Sequence, residues 1–294
     1  MTRRTPRTGS TTPPPSAGRD RTGAPSGPAP SGPAPYGSAQ VGRAALRRLP
    51  LRPAERLCHG TGLVLILSGL LHLGVFAVDG GPWDGPVSWR KPVTFGLSFG
   101  LTLIAVTWVT SYLRVGERLR AALLVVFAAD CVVEVAGITL QAWRGVPSHL
   151  DTETPFDTAV SMTLALGGAV LVVVLTLFAV VSFRHRPAGP AGMARAVRAG
   201  FAILLVGLAS GAAMIARGVV LSRAGHQQAA YASTAPLKPL HGVSLHAVLV
   251  LPALALLLSR TSWNERDRER MVTGAVAAYA VAVLGAGGWA VLAL

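Results

Sequence analysis

The stretch "AALLVVFAADCVVEVAGITLQAW", Ala121 to Trp143, decides the fold. It is apolar apart from Asp130, Glu134 and Gln141, and it is longer than the roughly 20 residues a helix needs to cross a bilayer. Backbone N–H and C=O groups find no water in hydrocarbon, so a run of this kind must satisfy them internally as a helix. At 100° per residue, Asp130, Glu134 and Gln141 fall within about 40° of one helix face. Such a stripe has to face protein or water rather than lipid, because ionisable groups are costly there.

Six further stretches read the same way. The expected spans are 57–78, 93–113, 121–143, 158–182, 199–221, 240–259 and 271–293. The fold class is therefore all-α, a polytopic membrane helix bundle of seven transmembrane helices over residues 46–294. Composition agrees. Of the 294 residues, 51% are hydrophobic and only 14% are charged, against about 25% charged in ordinary soluble domains. Mean hydropathy is +0.49. Residues 1–45 differ from the rest. They are rich in Pro, Gly and Ser, with SGPAP repeated in tandem at Ser26–Pro35. That composition cannot bury enough apolar area to offset ordering entropy, and it predicts a disordered tail on the cytoplasmic side.

Basic residues set the expected orientation. Arg43, Arg47, Arg48, Arg52 and Arg56 precede the first span. Arg114, Arg118 and Arg120 follow the second, Arg184, Arg186, Arg195 and Arg198 follow the fourth, and Arg260, Arg266, Arg268 and Arg270 follow the sixth. Against these sixteen, the other side carries Arg90, Lys91, Arg144, Arg223 and Lys238. The bias predicts a cytoplasmic N-terminus and an external C-terminus in the plasma membrane. A retinal protein has the opposite orientation and needs a lysine in its last helix. "MVTGAVAAYAVAVLGAGGWAVLAL" has none. The net charge of +14 does not indicate nucleic acid, because the arginines lie between apolar runs rather than along one amphipathic face. Cys58 and Cys131 form no CxxC or disulfide framework.

The polar residues inside the spans gather at one depth. His72 lies in the first span, and His241 and His246 open the sixth. Five residues rotate the latter two by about 140°, so they do not share a face of a regular helix. With the N-terminus inside, His72 and His246 lie ~9 Å below the outer boundary and Glu134 ~13 Å, at 1.5 Å per residue. Arg217 lies four residues before the outer end of the fifth span. It either snorkels to the headgroups or pairs with Glu134 or Asp130. Gly207 and Gly211 in the same helix have the GxxxG spacing of closely approaching helices. In the outer connections, Arg90 and Lys91 are suited to an anion. Arg144, His149 and Asp151 fall together in the third.

The strings "SWRKPVTFGLSFG", "QAWRGVPSHLDTETPFD" and "LHGVSLHAVLVLPALALLL" resemble three recurring motifs of a group of uncharacterised multi-pass bacterial membrane proteins, abbreviated SWRKP, RGxxSH and HxxxxH. The resemblance spans most of residues 57–260. It departs at Leu150 and Asp151, where the group has Phe-Asn. It implies a shared fold and a membrane location and brings no activity.

Three functions compete. One is a redox protein holding b-type haem or a transition metal. His72 and His246 would be axial ligands, Arg90, Lys91 and Arg217 would meet propionates, and His72, His241, His246 and Glu134 would be the metal set. The second is a small-molecule or proton-coupled transporter working through Asp130 and Glu134. The third is a non-catalytic subunit docking a membrane protein partner through the polar stripe. No catalytic motif is present, so an enzymatic role is open.

Overall fold

The computed structural model describes residues 51–293. The expected tail, with Arg43, Arg47 and Arg48, lies outside them. Among the described residues the chain is helical, with no strand. Seven helical segments are long and apolar enough to cross a membrane. Helix α1 is Pro53–Asp79, α2 Arg90–Val109 with a 3-10 turn at Thr110–Tyr112, α3 Glu117–Trp143, α4 Pro155–Arg184 and α5 Met193–Arg223. The sixth span is composite: α6 Gln227–Ala232, a 3-10 turn Ala235–Leu237, α7 Lys238–Leu245 and α8 Ala247–Leu258. Helix α9 is Glu265–Leu292.

The helices outrun the expected spans because their polar first turns remain helical. Pro53 and Pro155 stand in first turns, where a missing N–H costs nothing. Thr154 and Asn264 cap α4 and α9 by accepting from the N–H groups of Asp157 and Asp267. The face where α1 begins carries most of the arginines. The opposite face carries Trp83, Trp89 and Trp143. We call these the arginine face and the tryptophan face.

Helix α1 packs on α2 and α3, α2 on α3 and α8, α3 on α4, and α4 on α5. Helix α5 meets α7 and α8, and α9 lies against α5, α7 and α8. The α2–α8 contact closes α2, α3, α4, α5 and α8 into a ring of packed helices. Phe127, Phe178, Phe201, Leu103, Leu124, Leu204 and Leu251 fill the interior. Helix α1 and α2 approach backbone to backbone. A Cβ on Gly96 would lie 2.8 Å from the Cα of Gly69. The GxxxG pair Gly96 and Gly100 thus serves the tightest crossing. The expected pair on α5 is also used: a Cβ on Gly207 would meet Ser244 at 3.0 Å, and one on Gly211 would meet His241 at 2.8 Å.

One basic residue counted with the loops belongs to the interior. Arg120 lies in the first turn of α3 and is 5% exposed. Its guanidinium donates to Glu55 Oε1 on α1 at 2.6 Å, to the Thr107 carbonyl on α2 at 2.7 Å and to Thr110 Oγ1 at 3.2 Å. A single side chain thereby ties three helices at the arginine face.

Candidate functional site

Asp130 stands at the middle of α3, with thirteen residues to either end, or ~20 Å of helix on each side. Glu134 lies one turn further toward the tryptophan face. Both are buried, 8% and 3% exposed. They converge on α4 at Gly167, where an added Cβ would lie 2.5 Å from Glu134 Oε1 and 2.9 Å from Asp130 Oδ1. Any side chain at position 167 would displace them. Two carboxyl groups therefore share one small space against bare backbone. Among the described residues neither forms an ion pair within 4.0 Å, and Asp130 Oδ2 is buried without a hydrogen-bond partner. Like charges this close, in low dielectric and without a cation, are held only if a proton or a bound cation neutralises one of them.

The expected partners of Glu134 are elsewhere. Arg217 is exposed and makes no ion pair among the described residues, which matches its snorkelling alternative. His72 donates from Nδ1 to the Ser68 carbonyl at 2.7 Å and accepts from Trp143 Nε1 at 3.1 Å on Nε2. It stacks on Trp89 with ring centroids 6.1 Å apart. Both its nitrogens are engaged, and it anchors the aromatic layer of the tryptophan face. Gln141 belongs to a different network from the two carboxyls. It donates to Asp157 Oδ1 at 2.9 Å and accepts from Arg144, which also pairs with Asp157. That network fixes the start of α4.

His241 and His246 sit where the sixth span departs from a continuous helix. His246 ends α7 and precedes α8. Its Nδ1 donates to the Gly242 carbonyl at 2.9 Å, and Tyr279 of α9 donates to the Val243 carbonyl at 2.7 Å. Carbonyls at the break thus keep partners, as the bilayer interior requires. His241 donates from Nδ1 to the Gly207 carbonyl at 2.8 Å and lies over Gly211. The four groups of the expected metal set do not come together. Among the described residues no three His, Cys, Asp or Glu side chains form a metal-holding group.

The loop after α3 folds back into the tryptophan face. His149 Nδ1 lies 3.0 Å from Ser148 Oγ, and its ring packs near Phe95 of α2. Burial, and then the charge of Lys91, push its imidazole down to about 3. Lys91 donates to the Pro86 carbonyl at 2.6 Å and to Ser148 Oγ at 3.3 Å. Leu150 adopts a left-handed conformation at φ 66°. This strained turn is held by Gln227 Nε2 donating to the Leu150 carbonyl at 2.7 Å, and its side chain seats on Gly218. Asp151 is 1% exposed. One of its oxygens accepts from the Glu153 N–H at 3.0 Å and the other is buried without a partner.

Arg120, Tyr279 and Gly167 are the residues that the sequence reading missed. Gly167 had a weak signal in the pair Gly167–Gly168 inside an otherwise bulky run. Nothing in the sequence pointed to the other two. The chain matches no known protein-family model, no curated protein and no solved structure. The long apolar helices make it a multi-pass membrane protein of the helix-bundle class.

Proposed function

We propose that this protein is a proton-coupled membrane carrier of a small solute, with Asp130 and Glu134 as its proton site. The observation that carries this reading is the carboxyl pair at mid-membrane, converging on Gly167 with no basic partner among the described residues. A purely structural polar seam would satisfy its oxygens by hydrogen bonds, as Gln141 and Asp157 do. An unmatched pair in hydrocarbon costs stability, and proton exchange across the bilayer is a function that needs it. The discontinuous sixth span adds support, since broken helices recur where carriers place their sites.

Haem or metal binding, the competing redox reading, draws less support. The imidazole nitrogens of His72 are both used, and it stands on α1, whereas His246 ends α7 beside α5 and α9.

The test has two arms. Infrared spectra of the purified protein at neutral pH are expected to show a carboxylic acid C=O band that disappears in Glu134→Gln with Asp130→Asn. Proteoliposomes with an acid exterior and a trapped pH dye, offered amino acids, sugars and carboxylates in turn, are expected to show solute-dependent proton entry that Glu134→Gln abolishes. Two fully ionised carboxylates in the infrared, or proton entry unchanged by the substitution, would overturn the assignment.

A further inference from the structure

The carboxyl pair has an open neighbour. A cavity of about 200 Å³ lies between α3 and α4. Val133 and Gly137 line it from α3, and Ala159, Val160, Thr163 and Leu164 line it from α4. Val133 lies three residues beyond Asp130, Gly137 three beyond Glu134, and Thr163 four before Gly167. Residues so spaced are neighbours on a helix surface, about 5–6 Å apart. The cavity therefore adjoins the pair, on the side toward the tryptophan face. Val133, Ala159 and Thr163 are exposed, and at this depth both helices cross hydrocarbon. The cavity opens sideways into the bilayer.

Its lining restricts what it can hold. The Thr163 hydroxyl is the one side-chain donor among the lining residues, and it is spent on the Ala159 carbonyl at 2.8 Å. A polyol would leave its hydroxyl groups unpartnered there. An anion would meet two carboxyl groups. A divalent metal ion needs about six oxygen ligands, and no metal-holding group of side chains exists among the described residues. An apolar body carrying a positive charge has none of these defects. Its hydrocarbon part fills the cavity, and its charge reaches oxygens that lack a partner. Asp130 Oδ2 is such an oxygen, on a side chain only 8% exposed. In a medium of low dielectric that attraction is strong.

We infer that this cavity admits one compact hydrophobic organic cation from the bilayer, and that its charge replaces the proton held by Asp130 and Glu134. One cation enters, one carboxyl O–H releases its proton to water, and the net charge of the site is unchanged. The inference rests on the carboxyl pair as the proton site, and not on transport. Titratable side chains from the helices packed on α3 are committed elsewhere. Glu55 of α1 bonds to Arg120, His72 of α1 to Trp143, Lys91 of α2 to Ser148 and Asp157 of α4 to Arg144.

Equilibrium binding of radiolabelled benzyltrimethylammonium to the full chain in nanodiscs provides the test. This cation has a single ring and no proton to lose. The wild type is expected to bind one per chain at mildly alkaline pH. Once the pair is protonated, affinity is expected to fall about ten-fold per pH unit, as one-for-one exchange requires. Thr163 is exposed, so Thr163→Trp is expected to fold and to fill the cavity. It should weaken binding about ten-fold, the size of an overpacking cost, while the infrared carboxylic acid band persists. Val173→Trp, exposed on α4 but outside the cavity, is expected to bind as the wild type does. No saturable binding, affinity independent of pH, or equal affinity in Thr163→Trp and wild type would overturn the inference. So would displacement by sodium at the same concentration, which would mark a site for a small ion. Proton entry that Glu134→Gln leaves unchanged would instead overturn the carrier reading and leave this cation site standing.

Discussion

Among single residues, Arg120 carries the clearest energetic consequence, because its guanidinium is buried against Glu55. Removing one partner of a buried ion pair costs about 3 kcal/mol or more, so Arg120→Met is expected to lower the unfolding temperature clearly in detergent. Arg118→Met, in the exposed part of the same turn, is expected to change it little. By position Arg120 is a loop arginine, and only the packed bundle makes it a clamp. Azimuth and depth are legible in the sequence in this way, but partners are not. Helical periodicity places Asp130, Glu134 and Gln141 on one face, and all three are buried. It does not say which neighbouring helix that face meets, because packing order is a property of the bundle. Arg217 and His72 lie at a suitable depth for Glu134, yet the structure sends one outward and gives the other to Trp143. His149 supplies a pH dependence. Its imidazole is pushed down from 6.5 to about 3 in the fold. Below pH 6.5 the unfolded chain takes up a proton there that the folded chain refuses. The unfolded state then binds more protons, so stability falls as pH drops from about 6.5 toward about 3, and that contribution flattens below. Thermal unfolding at several pH values should show this slope in the wild type and a shallower one in His149→Phe.

Single helices were legible wherever a long apolar run continued without interruption. The sixth span was the exception. Hydropathy predicts one helix over 240–259, and the structure makes it a series of short ones beginning at Gln227. Pro239, Pro252 and Gly242 in the sequence fit such a break, but the interaction that makes it tolerable comes from α9. Tyr279 donates to the Val243 carbonyl across 36 residues, and no local pattern reports so distant a bond. Loss of one buried hydrogen bond costs about 1 kcal/mol. Tyr279→Phe should therefore lower stability modestly and speed amide exchange around Val243 to Ala247, while exchange in α3 stays unchanged. Close helix crossings were half legible. The GxxxG of α5 does face α7, whereas the tightest crossing uses Gly96 and Gly100 against Gly62 and Gly69 of α1. Gly96→Leu would drive a side chain into the backbone of α1, and it is expected to abolish folded protein in membranes. Gly74→Leu, where a Cβ meets nothing, should be tolerated.

For the whole molecule, the sequence carried the span count, because the bilayer demands length and apolarity from each segment separately. Orientation rests on the arginine bias, and the structure sharpens which charges matter. Arg120 is neutralised by Glu55 inside the bundle, so its charge is not free to hold the arginine face at the cytoplasmic side. Arg56, Arg114, Arg118, Arg184, Arg186, Arg195, Arg198, Arg260, Arg266 and Arg268 remain on that face without a carboxylate partner among the described residues, whereas Arg52 and Arg270 pair with Glu117 and Asp267. The tryptophan face has Arg90, Lys91, Arg144, Arg223 and Lys238, of which Arg90 and Arg144 are paired with Asp84 and Asp157. Ten unpaired arginines thus stand against Lys91, Arg223 and Lys238, and translocating the ten against the membrane potential is the less favourable insertion. The arginine face is expected in the cytoplasm. Both native cysteines are buried, so they give little background in a labelling experiment. Thr152→Cys, exposed on the tryptophan face, should react in intact cells with a membrane-impermeant maleimide. Ala188→Cys, exposed in the connection between α4 and α5, should react only after the cells are opened. The opposite pattern would invert the whole bundle. It would leave the carboxyl pair at mid-membrane, because Asp130 is equidistant from the two ends of α3.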